Sequence, residues 1–240
     1  MTINNKTYPL ACVWFAPNAL YTAFAAHEIS HGFGLNHSYD NSQKICAINA
    51  KPGEYCDPWD IMSASVTYQF TEQNWPIWEN ISTGGPGMST PNLLRMGWMP
   101  TANHGTFQIG GGEQPFNLRA LSHAQPGVPL VVFLDLSQVP FFDAFYTVEY
   151  RQGDGWDLGF VTSPSAPVTA RLQGGAVLVH RWGLAGEPAS TLIETPSSGA
   201  LVAGDTLNLT SSLGLPYHVT VKSIDTINGF ATVSIGPGSG

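Results

Sequence analysis

At 240 residues the chain is long enough for one or two domains and for a core that needs no metal or disulfide staple. Charged residues make up 11%, against 43% hydrophobic and 11% aromatic, a balance that excludes a disordered polar chain. Seventeen acids against nine bases give a net charge of -8 with no basic cluster to reverse it, so no nucleic-acid partner is expected.

In chain order, the opening MTINNKTYPL has neither the basic nor the apolar region of a signal peptide, and no run reaches the roughly 20 apolar residues of a membrane helix. No membrane span is expected. From Pro17 to Gly34 the pattern predicts a helix, with Asn18 as N-cap, Gly34 as left-handed stop, and Leu20, Phe24, His27 and His31 on one face. The stretch Ser38 to Ser89 lacks clear periodicity and holds Trp59, Trp75 and Trp78, the mark of a functional loop. Inside it, Cys46 and Cys56 close a short turn-rich segment suited to a disulfide, which points to an oxidising, extracellular compartment and leaves Cys12 without a partner in the chain. Thr90 as cap, Pro91 at the first helical position and Gly97 as stop predict a second, short helix.

Beyond His104 eight β-rich segments recur between Gly, Pro and Asp turns: TFQI, PFNLRAL, PLVVFLDL, FYTVEYR, AVLVHRW, TLNLT, YHVTVKS and FATVSI. They predict an antiparallel, sandwich-like region. Alternation is cleanest where Tyr217, Val219 and Val221 oppose His218, Thr220 and Lys222. The expected organisation is therefore α+β, with a first region over 1–104 and a β-rich domain over 105–240.

Residues 27 to 37 read HEISHGFGLNH. His27 and His31 stand one helical turn apart, and His37 follows the glycine that lets the chain double back, so three imidazoles can converge on one zinc ion and leave a position open. Glu28 is rotated about 100° around the helix from His27, placed to reach a water at that open position rather than the metal. A purely structural zinc site would close its fourth position with protein and has no use for this carboxylate.

These eleven residues resemble the metzincin zinc-peptidase signature H-E-x-x-H-x-x-G-x-x-H, and Met62 in WDIMS looks like the methionine of the Met-turn. EYCDPWDIM with LLRMGW is most similar to gametolysin-type peptidases, and FYTVEYRQGDGWD with AVLVHRW to segments of those and of immune inhibitor A-type peptidases. The resemblance implies a long zinc-binding helix, His27, His31 and His37 as ligands, Glu28 as general base and acid, Gly34 as the turn, and Met62 as an apolar floor below the metal. It also implies an N-terminal sheet, for which the 26 residues before His27 are short, so a short or missing sheet and a mature form or fragment are expected. No Tyr stands two residues after Met62, so no tyrosyl fifth ligand is expected, and Tyr68 lies too far along.

The reading is a secreted zinc-dependent endopeptidase that hydrolyses peptide bonds of a protein or peptide substrate through a zinc-activated water, with subsite preference set partly by Ser63 to Phe70. Its rival is a β-rich binding or adhesion module carrying a catalytically idle, truncated zinc-peptidase remnant. Elsewhere, Asp154 and Asp157 in GDGWD offer calcium two carboxylates, but no downstream bidentate carboxylate completes a loop, and a turn between strands is expected. His104, His123, His180 and His218 lack ligand spacing and read as surface or satisfied strand residues.

Overall fold

The computed structural model describes residues 2–3, 6–7, 22–63, 70–71, 83–84, 86–108, 110–135, 145–157, 175–183, 188–193, 195, 199–211 and 214–238. Two short strands, β1 (Thr2–Ile3) and β2 (Lys6–Thr7), pair antiparallel. Helix α1 (Thr22–Gly32) follows, then β3 (Tyr39–Asp40), the β4 (Phe70–Thr71) and β5 (Thr83–Gly84) pair, and helix α2 (Thr90–Arg95). The rest is strand: β6 (His104–Gln108), β7 (Gln114–Arg119), β8 (Val131–Asp135), β9 (Phe145–Arg151), β10 (Ala176–Trp182), β11 (Thr191–Leu192), β12 (Thr206–Thr210), β13 (Pro216–Asp225) and β14 (Phe230–Pro237). Each of the eight β-rich segments of the sequence overlaps one of these strands.

Ten strands form two sheets, one ordered β3-β11-β10-β9-β8-β6 and the other β12-β13-β14-β7. Their facing sides share one core. Val132, Leu134, Val148, Tyr150, Val177 and Val179 come from the six-stranded sheet, and Leu118, Tyr217, Val219, Val221, Val233 and Ile235 from the four-stranded one. Period two explains the choice: on β13, Tyr217, Val219 and Val221 are buried while Lys222 is exposed.

The six-stranded sheet is covered on its other face as well. On β9 the residues that alternate with the core, Thr147, Glu149 and Arg151, are buried, and so are Ala176, Leu178 and His180 on β10. Polar groups there meet α2 and the loop before it. The Thr90 amide donates to Glu149 Oε2 at 2.7 Å, Thr90 Oγ1 donates to Thr147 Oγ1 at 3.0 Å, and His180 Nε2 lies 3.1 Å from Asp57 Oδ2. Helix α2 and the loop at Asp57 thus lie on the outer face of the six-stranded sheet.

This architecture corrects the expected α+β class with a long zinc-binding helix and a metzincin-like catalytic region. The described chain is mostly β, α1 has 11 residues and α2 has 6, and a metzincin-like region is not evident. The reason is physical: histidines at i and i+4 with a glycine stop specify three turns of helix and nothing about the layers around them. The strands are not all antiparallel either, since β6 pairs parallel with β8 and β3 parallel with β11. That last pair joins residues 1–104 to the sheet of 105–240. At α2, Ser89 rather than Thr90 is the N-cap, and Gly97 ends the turn at φ +67. No described helix is long and apolar enough to cross a membrane.

Candidate metal centre

Gly34 sits at φ +90, in the left-handed region where a side chain is strained, directly after the last turn of α1. The Gly34 amide donates to the His31 carbonyl at 2.9 Å and the Leu35 amide to the Ser30 carbonyl at 3.2 Å, closing the helix end. The reversal brings His37 back beside His27 and His31, with ring centroids 5.4 and 4.8 Å away. The candidate ligand nitrogens of all three lie within 4.8 Å of one another.

Each imidazole is oriented through its outer nitrogen. His27 Nδ1 lies 2.9 Å from the Ile61 carbonyl oxygen, His31 Nδ1 lies 2.7 Å from the Leu35 carbonyl oxygen, and His37 Nδ1 lies 2.7 Å from Glu54 Oε1. Carbonyl oxygens only accept, so Nδ1 carries the proton in His27 and His31, and Nε2 presents a bare lone pair. Those two Nε2 atoms are 3.1 Å apart. Two neutral acceptors at that distance repel, and a metal ion between them turns the contact into an attraction. A tetrahedral ion with bonds of about 2.0–2.1 Å holds its ligand nitrogens about 3.3–3.4 Å apart, so the pair is close to metal spacing. Burial holds His27 below its usual range, opposed by its bond to Ile61, and the neighbouring imidazoles lower it further; the neutral form is the one a metal needs.

The residues present therefore fit a metal ion: three nitrogen donors, each with an outer hydrogen-bond partner. Glu28 stands beside His27, half-buried, and near enough to act electrostatically on both His27 and Tyr55.

Two of the three acceptors, Glu54 and Ile61, come from one segment, and the third, Leu35, follows α1 directly. Ile61 and Met62 pack with Ala23 of α1 and with Leu35, and Met62 is fully buried. The Ser38 amide, next to His37, donates to the Met62 carbonyl at 3.2 Å. Asp60 Oδ2 accepts from Ser38 Oγ at 2.7 Å and Asn92 Nδ2 at 2.8 Å, and also from the Ser89 hydroxyl, while Oδ1 accepts from the Met62 amide at 3.0 Å. One buried carboxylate so ties the third ligand, the methionine turn and α2 together.

Two residues of the centre were not singled out in the sequence. Glu54 orients His37, and Tyr55 places its hydroxyl 2.7 Å from His37 Nε2. Tyr55 holds φ +63, uncommon for a residue with a side chain and often a mark of a functional position. Burial, with Glu54 and Glu28 adding, pushes its phenol up to about 12, so it is a hydrogen-bond donor at neutral pH. Both lie beside Cys56, which is bonded to Cys46 with Cα atoms 5.3 Å apart. Gly53, at φ +80, lets this segment touch β3, since a Cβ there would stand 2.3 Å from the Asp40 carbonyl oxygen. The sequence signal was present in GEYC: a carboxylate and a phenol fixed by a disulfide.

The remaining candidates fall elsewhere. Asp157 is paired with Arg151, and Asp154 Oδ2 lies 2.5 Å from His123 Nε2, so both carboxylates of GDGWD have protein partners. His180 is buried against Asp57 and Glu149, not grouped with the triad. Cys12, Trp75, Trp78, Tyr68 and residues 64–69 of the expected specificity wall lie outside the described residues.

No protein-family model matches the chain, and comparison with curated proteins and with solved structures finds no match.

Proposed function

We propose that the chain is a zinc-dependent endopeptidase. The observation that carries this is the convergence of three outward-anchored imidazoles on one point, with a carboxylate beside them that none of those anchoring bonds uses. His27, His31 and His37 would hold the ion. When bound, zinc supplies a Lewis acid that polarises a carbonyl oxygen and lowers the pKa of water. Nitrogen ligands with an open position suit zinc, and the pattern HEISHGFGLNH, similar to the metzincin signature, supports the same choice.

The protein's own part follows from placement. Ile61, Leu35 and Glu54 fix the ring orientations and the tautomers. The Glu28 carboxylate takes the proton of an attacking water and returns it to the leaving amine, with no covalent intermediate. Tyr55 offers an O–H donor at the same point. The Cys46–Cys56 disulfide supports an oxidising, extracellular address.

The test is Glu28→Gln, which keeps size and hydrogen bonding but removes the base. The variant should bind zinc like the parent and cleave a quenched peptide library at least about 100- to 10,000-fold more slowly. Equal turnover by the two proteins refutes the role of Glu28. Zinc binding by both with cleavage by neither favours the idle-remnant alternative.

A further inference from the structure

A cavity of about 380 Å³ shares two walls, His31 and His37, with the metal centre. Its size falls in the range of small-ligand sites, about 300–1,000 Å³. Lys51 and Arg95 also line it. Among the described residues neither side chain makes an ion pair or hydrogen bond. In a chain with nine Lys and Arg against 17 acids, two such cations on one cavity beside the candidate metal centre are out of character with the surface as a whole.

The one acidic side chain among the described lining residues is already occupied. Glu54 Oε1 accepts from His37 Nδ1, Oε2 accepts from the Lys51 amide at 2.8 Å, and the Tyr39 hydroxyl bonds the same carboxylate. It serves the candidate metal centre and leaves Lys51 and Arg95 on the cavity with no acidic partner among the described residues.

Resting on the endopeptidase reading, we propose that this cavity is the subsite for a carboxylate of the peptide substrate, next to the scissile bond. Arg95 supplies the planar fork that matches a carboxylate in two parallel bonds, and Lys51 a point charge. Asp or Glu side chains and a free C-terminus share this chemistry. The site therefore selects acidic sequences, or ends, near the cut, and disfavours a Lys or Arg there by like-charge repulsion.

The experiment uses zinc-loaded Glu28→Gln protein, which binds without turning over, and reads binding by fluorescence anisotropy. Three labelled peptides are compared: one blocked at both ends with an internal Glu, its Gln counterpart, and the Gln peptide with a free C-terminus. The Glu peptide is expected to bind on the order of tenfold more tightly than the Gln peptide, with the gap closing at high salt. Arg95→Gln and Lys51→Gln, added singly to the Glu28→Gln protein, should each shrink the gap while metal analysis shows zinc retained. A gain for the free C-terminus in place of the internal Glu also supports the carboxylate subsite and assigns its source. Equal binding of all three, no binding of any, or a gap that both substitutions leave intact overturns the proposal. Parent protein is run with the same peptides. Cleavage without a Glu preference would leave the endopeptidase reading standing and remove the subsite; a Glu preference in binding without cleavage by the parent would do the reverse.

Discussion

Removal of Glu54 tests whether the outer hydrogen bond of a ligand sets metal affinity here. Glu54 has three donors: His37 Nδ1 at 2.7 Å, the Lys51 amide at 2.8 Å and the Tyr39 hydroxyl. Only the first bears directly on the metal, because it fixes the His37 ring and makes Nε2 the more basic nitrogen. A hydrogen bond to a charged group is worth about 1.5–3 kcal/mol, which converts to about 10- to 100-fold in affinity, the range typical of such outer partners. Glu54→Ala should therefore weaken zinc binding by about 10- to 100-fold. Glu54→Gln keeps an acceptor oxygen and loses the charge, and since charged hydrogen bonds are about twice as strong as neutral ones, its loss should be roughly the square root of that, about 3- to 10-fold. Competition against a chromogenic chelator at neutral pH measures both, with circular dichroism showing that each variant is folded. A folded Glu54→Ala protein that binds zinc as tightly as the parent would refute the reasoning, and so would an order in which Gln is worse than Ala.

Three further outcomes follow from the same geometry. Serine at both Cys46 and Cys56 opens a ring closed over a separation of 10 residues, which should cost about 3 kcal/mol in urea denaturation and also weaken zinc binding, because Glu54 and Tyr55 sit beside Cys56. Asp60→Ala removes the acceptor of the Ser38 and Ser89 hydroxyls, the Asn92 amide and the Met62 amide, and should lower stability by about 3 kcal/mol or more, read as a lowered thermal midpoint. Burial disfavours charge on His180, yet Glu149 and then Asp57 outweigh it and raise its pKa. A raised histidine stabilises the fold fully below its unfolded value near 6.5 and ceases to do so as pH rises through the folded value. The denaturation midpoint should thus fall above about pH 6.5, and His180→Gln should flatten that slope.

Much of the site and most strands are legible in the sequence because both are written locally. Histidines at i, i+4 and i+10 with Gly34 between them are near enough in sequence to converge, and the alternation of β13 marks its buried side. Cys46 and Cys56 are near enough in sequence to pair without long-range information. The class of the fold is not local. Whether α1 belongs to a helical layer or lies on a sheet depends on partners far along the chain, such as Asp57 with His180 at a separation of 123 residues. Two-residue strands such as β3 and β11 carry no period at all, so their parallel pairing could not be read. Glu54 and Tyr55 are not legible as site residues because they precede Met62 by several positions, and only the fold brings that approach back onto His37.

β9 shows most clearly why pattern alone misplaces a surface. Thr147, Glu149 and Arg151 alternate with Val148 and Tyr150, which by itself describes a strand with one wet face. That face is instead buried, with Arg151 bonded to Asp157 and Glu149, and Glu149 receiving the Thr90 amide at the start of α2. Apolar side chains would have covered the same area, and buried ion pairs are often no more stabilising than an apolar replacement. What the ionic arrangement supplies is position. A methyl group tolerates a shift of half an ångström, whereas a carboxylate left unpaired in the interior costs about 3–5 kcal/mol. Asp57 bonds the sheet at His180, Glu149 and Asp157 bond Thr90 and Gly87 at and before α2, and Asp60 holds Ser38 beside His37. A chain of low charge has placed buried charge next to its candidate metal centre, where three imidazoles on a short helix and a loop must keep one geometry.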